Sequence, residues 1–268
     1  MYKIFDIHTH IYPEPIAGKA VDSLAKFYEF TVDGKGTLAD LEEKSRASGV
    51  SGFLILAVAT NAHQVVKVND FAAASAELSR SRGFETYAFA GIHQDFSDFA
   101  GEIDRIEKLG LKGVKIHPDI QRWDLLDKRM YELCEILEGR LPLYLHMGDN
   151  RPQYRYSEPQ KLAKLLDRFP RLVVAAAHFG GYMDWDDAER SLIGRPNVWY
   201  DTSSALWAMT PERAVSLIHE FGSERMMFGT DYPVKNIDGE LERFMRLELT
   251  EKERADILYG NAKRFLGI

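Results

Sequence analysis

"IFDIHTHIYPE", residues 4–14, places two histidines one position apart at the end of an apolar run. In a β-strand, where successive side chains alternate between faces, His8 and His10 point the same way, and so do Ile4 and Asp6. Two imidazoles on one face of a strand can hold a metal ion, or they can simply be polar residues at a strand end. The choice depends on what the rest of the chain builds around this first strand.

Seven further short runs of the same kind follow: "GFLILAV" (52–58), "YAFAGIH" (87–93), "GVKIH" (113–117), "LPLYLHM" (141–147), "LVVAAAH" (172–178), "VWYDTS" (198–203) and "MMFGTD" (226–231). They are almost continuously apolar, as parallel strands covered on both faces are. Helical patterns with readable ends lie between them. Thr37 with Asp40, Ser157 with Gln160, and Thr250 with Glu253 sit at capping-pair spacing, while Thr210 precedes Pro211 in a helix stopped by Gly222. Eight strands alternating with helices over 268 residues predict an α/β fold, a single (β/α)₈ TIM barrel occupying residues 1–268 as one domain. A doubly wound open sheet is the second choice. The one long connection, residues 11–36, is a short insertion after the first strand. It contains the helix-like "IAGKAVDSLAKFYEF" (16–30), which would lie over the barrel mouth as a small lid.

Composition narrows the function. Forty-one acidic against 34 basic side chains give a net charge of −7, which gives no electrostatic help to a nucleic-acid partner. No apolar run reaches the roughly 20 residues that a membrane span needs. The single cysteine, Cys134, lies in the helical run "MYELCEIL" and reads as buried filler in a reducing compartment. These features predict a cytoplasmic enzyme or binding protein for a small molecule, without nucleic-acid or membrane partners and with at most a second copy as a homodimer.

Of eight histidines, six fall at the C-terminal ends of predicted strands: His8, His10, His93, His117, His146 and His178. That end of a barrel is where active sites collect. His63 and His219 fall in helical runs and are assigned to helix surfaces or packing. The last strand ends "FGTDYP", which makes Asp231 a carboxylate at the same mouth. Nitrogen and oxygen ligands from strands one, five and eight suit a divalent transition metal such as Zn²⁺, with one position left for water. Zinc lowers the pKa of bound water to about 7.

"DIHTHIYPE", "GVKIHP", "LYLHMG", "FPRLVVAAAHFGG", "YDTSS", "FGTDYP" and "LYGNAKRFLG", in this order from residue 6 to residue 267, resemble the amidohydrolase superfamily. Within it they are similar to the amidohydrolase-related branch that includes aminocarboxymuconate-semialdehyde decarboxylase and γ-resorcylate decarboxylase. The resemblance implies one metal, or two, bound by His8, His10, His146 and Asp231. It implies that His178 is the acid/base or polarising histidine, or a ligand to a second metal, and that Asp231 also takes a proton from water.

Lys115 shares the inward parity of His117 and lies one layer deeper. Binuclear relatives carbamylate a lysine on the fourth strand, but a pairing with Asp6 or contact with a substrate carboxylate is the expectation here. His117 is assigned to substrate contact. The loops beyond the strand ends carry Arg122, Arg151 and Arg155 with Trp123, Tyr154 and Trp207. Arg151 is expected to fork a substrate carboxylate and Trp123 to flank a ring. The leading functional expectation is a metal-dependent hydrolase acting on a small, carboxylated substrate through metal-activated water. The alternatives are a metal-dependent decarboxylase or hydratase of an unsaturated or aromatic acid, and a degenerate barrel that binds without turnover.

Overall fold

In the computed structural model, which describes residues 2–268, eight strands run in the order of the chain: β1 (Phe5–Thr9), β2 (Gly52–Leu56), β3 (Glu85–Gly91), β4 (Val114–Ile116), β5 (Leu143–Leu145), β6 (Val174–Ala176), β7 (Val198–Asp201) and β8 (Met226–Met227). Each pairs in parallel with the next. The last stretch returns to the first: the Ile7 amide donates to the Phe228 carbonyl at 2.9 Å, and the Asp231 amide to the His8 carbonyl at 2.9 Å. This is a (β/α)₈ barrel, as the strand spacing predicts.

The side chains divide as parallel strands require. Val114, Ile116, Leu143, Leu145 and Val174 pack outward against helix residues such as Leu133, Leu162 and Leu217. Leu54, Leu56, Phe89, Tyr144, Ala175 and Met227 form a second cluster with Phe265 of the C-terminal helix. The Phe265 ring lies 5.9 Å from that of Phe89 and 6.2 Å from that of Tyr144. No helix among the described residues is long and apolar enough to cross a membrane.

The helix caps follow the sequence signals at three of four starts. Thr37 accepts the Asp40 amide at 3.2 Å, Thr210 accepts the Arg213 amide at 3.3 Å, and Thr250 with Glu253 forms a complete capping box. The Ser157–Gln160 pair is different. The helix Pro159–Arg168 starts after Glu158 with no side-chain cap, and Ser157 donates its hydroxyl to the buried carboxylate of Asp119 instead. A carboxylate is the stronger acceptor, and Pro159 in the first turn has no amide to offer.

The insertion folds as α1 (Glu14–Tyr28), entered through Pro13 and ended by Glu29 in the left-handed region at φ 60°. Its last turn reaches the barrel mouth, where Tyr28 Oη lies 2.7 Å from His117 Nε2 and the Phe27 carbonyl accepts from Arg151 at 2.6 Å. His63 is exposed in a short turn, and His219 is half-exposed on the helix Pro211–Phe221.

Candidate active site

At the mouth, His8 and His10 bring their Nε2 atoms within 3.1 Å of each other. Asp231 Oδ1 stands 3.3 Å from the first and 3.5 Å from the second. Hydrogen-bond accounting fixes the protons. His10 Nδ1 donates to the Leu56 carbonyl at 2.8 Å, and His8 Nδ1 donates to Asp201 Oδ2 at 3.0 Å. A neutral imidazole carries one N–H, so both Nε2 atoms are bare lone pairs. Two such nitrogens and a carboxylate oxygen facing one another repel unless a cation lies among them. The residues therefore fit a divalent metal, and their N₂O chemistry suits zinc or manganese.

His146 stands beside this triad rather than in it. Its Nδ1 lies 2.9 Å from His178 Nε2, its ring stacks on His117 at 3.9 Å, and its Nε2 is buried without a partner. His178 Nδ1 reaches the Ser203 carbonyl at 3.0 Å. Because a carbonyl only accepts, Nδ1 carries the proton and His178 Nε2 accepts from His146. The backbones of His178 and Asp231 are both left-handed, at φ 60° and 61°. Non-glycine residues hold that conformation where surrounding structure over-determines it, often at functional sites.

Behind His8 and His178 lies a further carboxylate, which the sequence alone does not single out. Asp201 accepts from His8, from Ser203 Oγ at 2.5 Å, from the His178 amide at 3.0 Å and from the Tyr144 hydroxyl. Ser203 Oγ also lies 2.9 Å from Nδ1 of both His8 and His178. Asp201, in the motif "YDTSS", is the last residue of β7. Burial holds His8 down at about 3 and keeps His117, His146 and His178 below the ordinary imidazole value. Burial also raises Asp201 and Asp231, but the facing histidines and hydrogen bonds outweigh it and leave both well below the usual carboxylate range.

Above the triad a small pocket is walled by Tyr28, Phe30 and Tyr182, with His146, His178, Ser204 and Asp231 beneath. His117 borders it through Tyr28. Three residues expected at the substrate have other neighbours. Arg151 spends its fork on Asp149, at 2.9 Å and 2.7 Å, and its remaining nitrogen on the lid. Trp123 is 1% exposed and packs 6.1 Å from the Phe99 ring, because the turn after β4 folds it into the core. Lys115 is fully buried without a hydrogen-bond partner, its ammonium 4.9 Å from the Tyr144 ring centroid. The pairing with Asp6 fails because Asp6 already accepts from Thr230 Oγ1 at 2.6 Å and from the Thr230 and His8 amides at 3.1 Å.

A family model described as Amidohydrolase (Amidohydro_2) matches residues 5–268. The chain belongs to the amidohydrolase family. This amidohydrolase is 26% identical to decarboxylase orsB of Emericella nidulans, over 75% of its own length and 75% of that protein's. 5-Carboxyvanillate decarboxylase LigW from Sphingomonas paucimobilis superposes on it with a TM-score of 0.73 at 17% identity, each chain covered completely at 100%. A dihydroxybenzoic acid decarboxylase from Polaromonas sp., solved with manganese and 2-nitroresorcinol, gives a TM-score of 0.70 at 16% identity. That match covers 100% of this amidohydrolase and 97% of the other chain. At such identities the two structures speak for the fold.

Proposed function

We propose that this amidohydrolase is a metal-dependent decarboxylase of a small aromatic acid. The similarity to decarboxylase orsB carries the choice of carbon–carbon cleavage, and the hydrolase expectation gives way to it. The aromatic pocket over three converging lone pairs supports the same choice.

The reaction converts a ring carboxylate and a proton into the protonated ring and CO₂: the ring–carboxyl bond breaks, and its electron pair takes the proton. His8, His10 and Asp231 would hold the cation, with His146 adjacent. When bound, a divalent cation there supplies Lewis-acid neutralisation of the substrate's negative oxygens. Zinc was expected, and manganese in the Polaromonas enzyme makes it an equal candidate.

The chain's own groups do the rest. Asp201 and the Leu56 carbonyl keep the ligand nitrogens bare, and Ser204 holds Asp231 Oδ2 at 2.6 Å. Once the His146–His178 pair takes up one proton, at His146 Nε2, the shared proton can pass from His146 Nδ1 to His178 Nε2 and from there to the ring carbon, which leaves both imidazoles neutral. Asp231 and Asp201 favour the charged form of His178 against the cost of burial. The lid excludes water from the ring.

Incubating manganese- or zinc-loaded protein with dihydroxybenzoates and measuring released CO₂ tests the reading. Hydrolysis of lactones or amides without CO₂ release from any carboxylated phenol would return the hydrolase reading to the lead.

A further inference from the structure

His117 accepts the Ile120 amide at its Nδ1, 3.3 Å away, as the N-cap of the turn after β4. Its other nitrogen, Nε2, therefore carries the ring proton and donates it to Tyr28 Oη at 2.7 Å. The tyrosine's own proton is left over. No acceptor stands within hydrogen-bond distance of it among the described residues, although the hydroxyl lies in a crowded site whose burial and carboxylates keep it protonated. A hydroxyl whose oxygen is used and whose proton is not is a donor waiting for a ligand.

The pocket makes that donor matter. No lysine or arginine lines it. Arg151 is held by Asp149, and Lys235 lies over the rings of Phe30 and Trp207, 5.4 Å and 5.2 Å from their centroids. The Ser204 hydroxyl is committed to Asp231. An acid entering this pocket meets the bare ligand atoms below and tyrosine hydroxyls above. Of the two tyrosine hydroxyls only that of Tyr28 arrives on the insertion, its ring 5.2 Å from Phe30 in a stacked arrangement.

We propose that Tyr28, carried to the mouth by α1, is a specificity-determining residue. It donates its free proton to an oxygen of a planar ring acid, while Phe30 and Tyr182 flank the ring. The substrate class is thus a hydroxylated or carboxylated aromatic acid that offers an oxygen acceptor on the lid side. This rests on the decarboxylase reading for the chemistry but not for the binding.

The test compares wild type and Tyr28→Phe, both loaded with manganese, using 2,6-dihydroxybenzoate. Binding is read by calorimetry and turnover by CO₂ release. The variant keeps the ring and removes the hydroxyl together with its bond from His117, while Arg151 still ties the last turn of α1 to the mouth. Kd and KM should rise roughly 10- to 100-fold, the worth of a hydrogen bond to a charged acceptor, with kcat within about threefold. Unchanged Kd and KM overturn the assignment. A fall in kcat with KM unchanged also overturns it, since Tyr28 would then act in the chemistry. Failure of both proteins to bind the acid overturns it as well. Binding without CO₂ release sinks the decarboxylase reading alone, and the ratio of the two Kd values still decides the role of Tyr28.

Discussion

Asp201 Oδ2 lies 3.0 Å from His8 Nδ1, so a carboxylate at the end of β7 sets the proton on a histidine of β1. Such outer partners typically change metal affinity about 10- to 100-fold when removed. Asp201→Asn can turn a donor toward His8 and favour the wrong tautomer. We expect its manganese affinity to fall by that factor, measured by calorimetric titration of the metal-free protein. Wild-type affinity would mean that Ser203 alone orients His8.

His178 lines the pocket but has both ring nitrogens engaged, with Ser203 and His146. His178→Asn should retain the metal and lose about 10²–10⁴-fold in turnover, the usual worth of a positioned proton-transfer group. Metal content and turnover are measured on the same preparation. Loss of the metal would make it a ligand instead, and full activity with full metal would remove it from the mechanism.

Lys115 is pushed down by burial to about 8 from an ordinary 10.5. Between those values the unfolded chain binds more protons than the folded one, so stability rises with pH across this window. Below it the folded protein bears the full cost of a buried charge, on the order of 3 kcal/mol. Lys115→Met should be more stable than wild type at pH 7, and the advantage should shrink toward pH 10.5. Urea unfolding at both pH values checks it. A less stable variant at pH 7 would show that the ammonium has a partner worth more than its burial costs.

Arg151 ties Asp149 to the Phe27 carbonyl and stacks 4.4 Å from the Tyr154 ring centroid. Arg151→Ala should loosen the last turn of α1. Amide hydrogen exchange there is expected to accelerate roughly 10- to 100-fold, from the loss of a charge-assisted hydrogen bond. Unchanged exchange would mean that Tyr28 and His117 hold the lid unaided.

Strand length and apolar continuity made the barrel readable. Placing histidines at the ends of strands made most of the site readable too, because parity and strand direction are local properties. What could not be read was partnership across the barrel. Parity turned Lys115 and Asp6 inward together, but Asp6 found Thr230 on the adjoining stretch after β8, across the barrel seam. Arg151 lies on the loop after β5, and the acid two residues before it claims the fork. Trp123 carried an aromatic signal that fitted a pocket or a core equally well. Asp201 was missed because a lone aspartate at a strand end gains meaning only when His8, Ser203 and Tyr144 converge on it.

His8, His10 and Asp231 straddle the seam where the stretch after β8 meets β1. There the barrel is joined by a few backbone hydrogen bonds and one isolated bridge between Thr9 and Tyr232. A cation in this place is a clasp on the seam, and its binding energy adds to that of closure. Starved of metal, the protein is expected to fray first at this join, with the amides of Ile7, His10 and Asp231 exchanging ahead of those in β2 and β3. The proposed ion would then also serve as a lock on the fold.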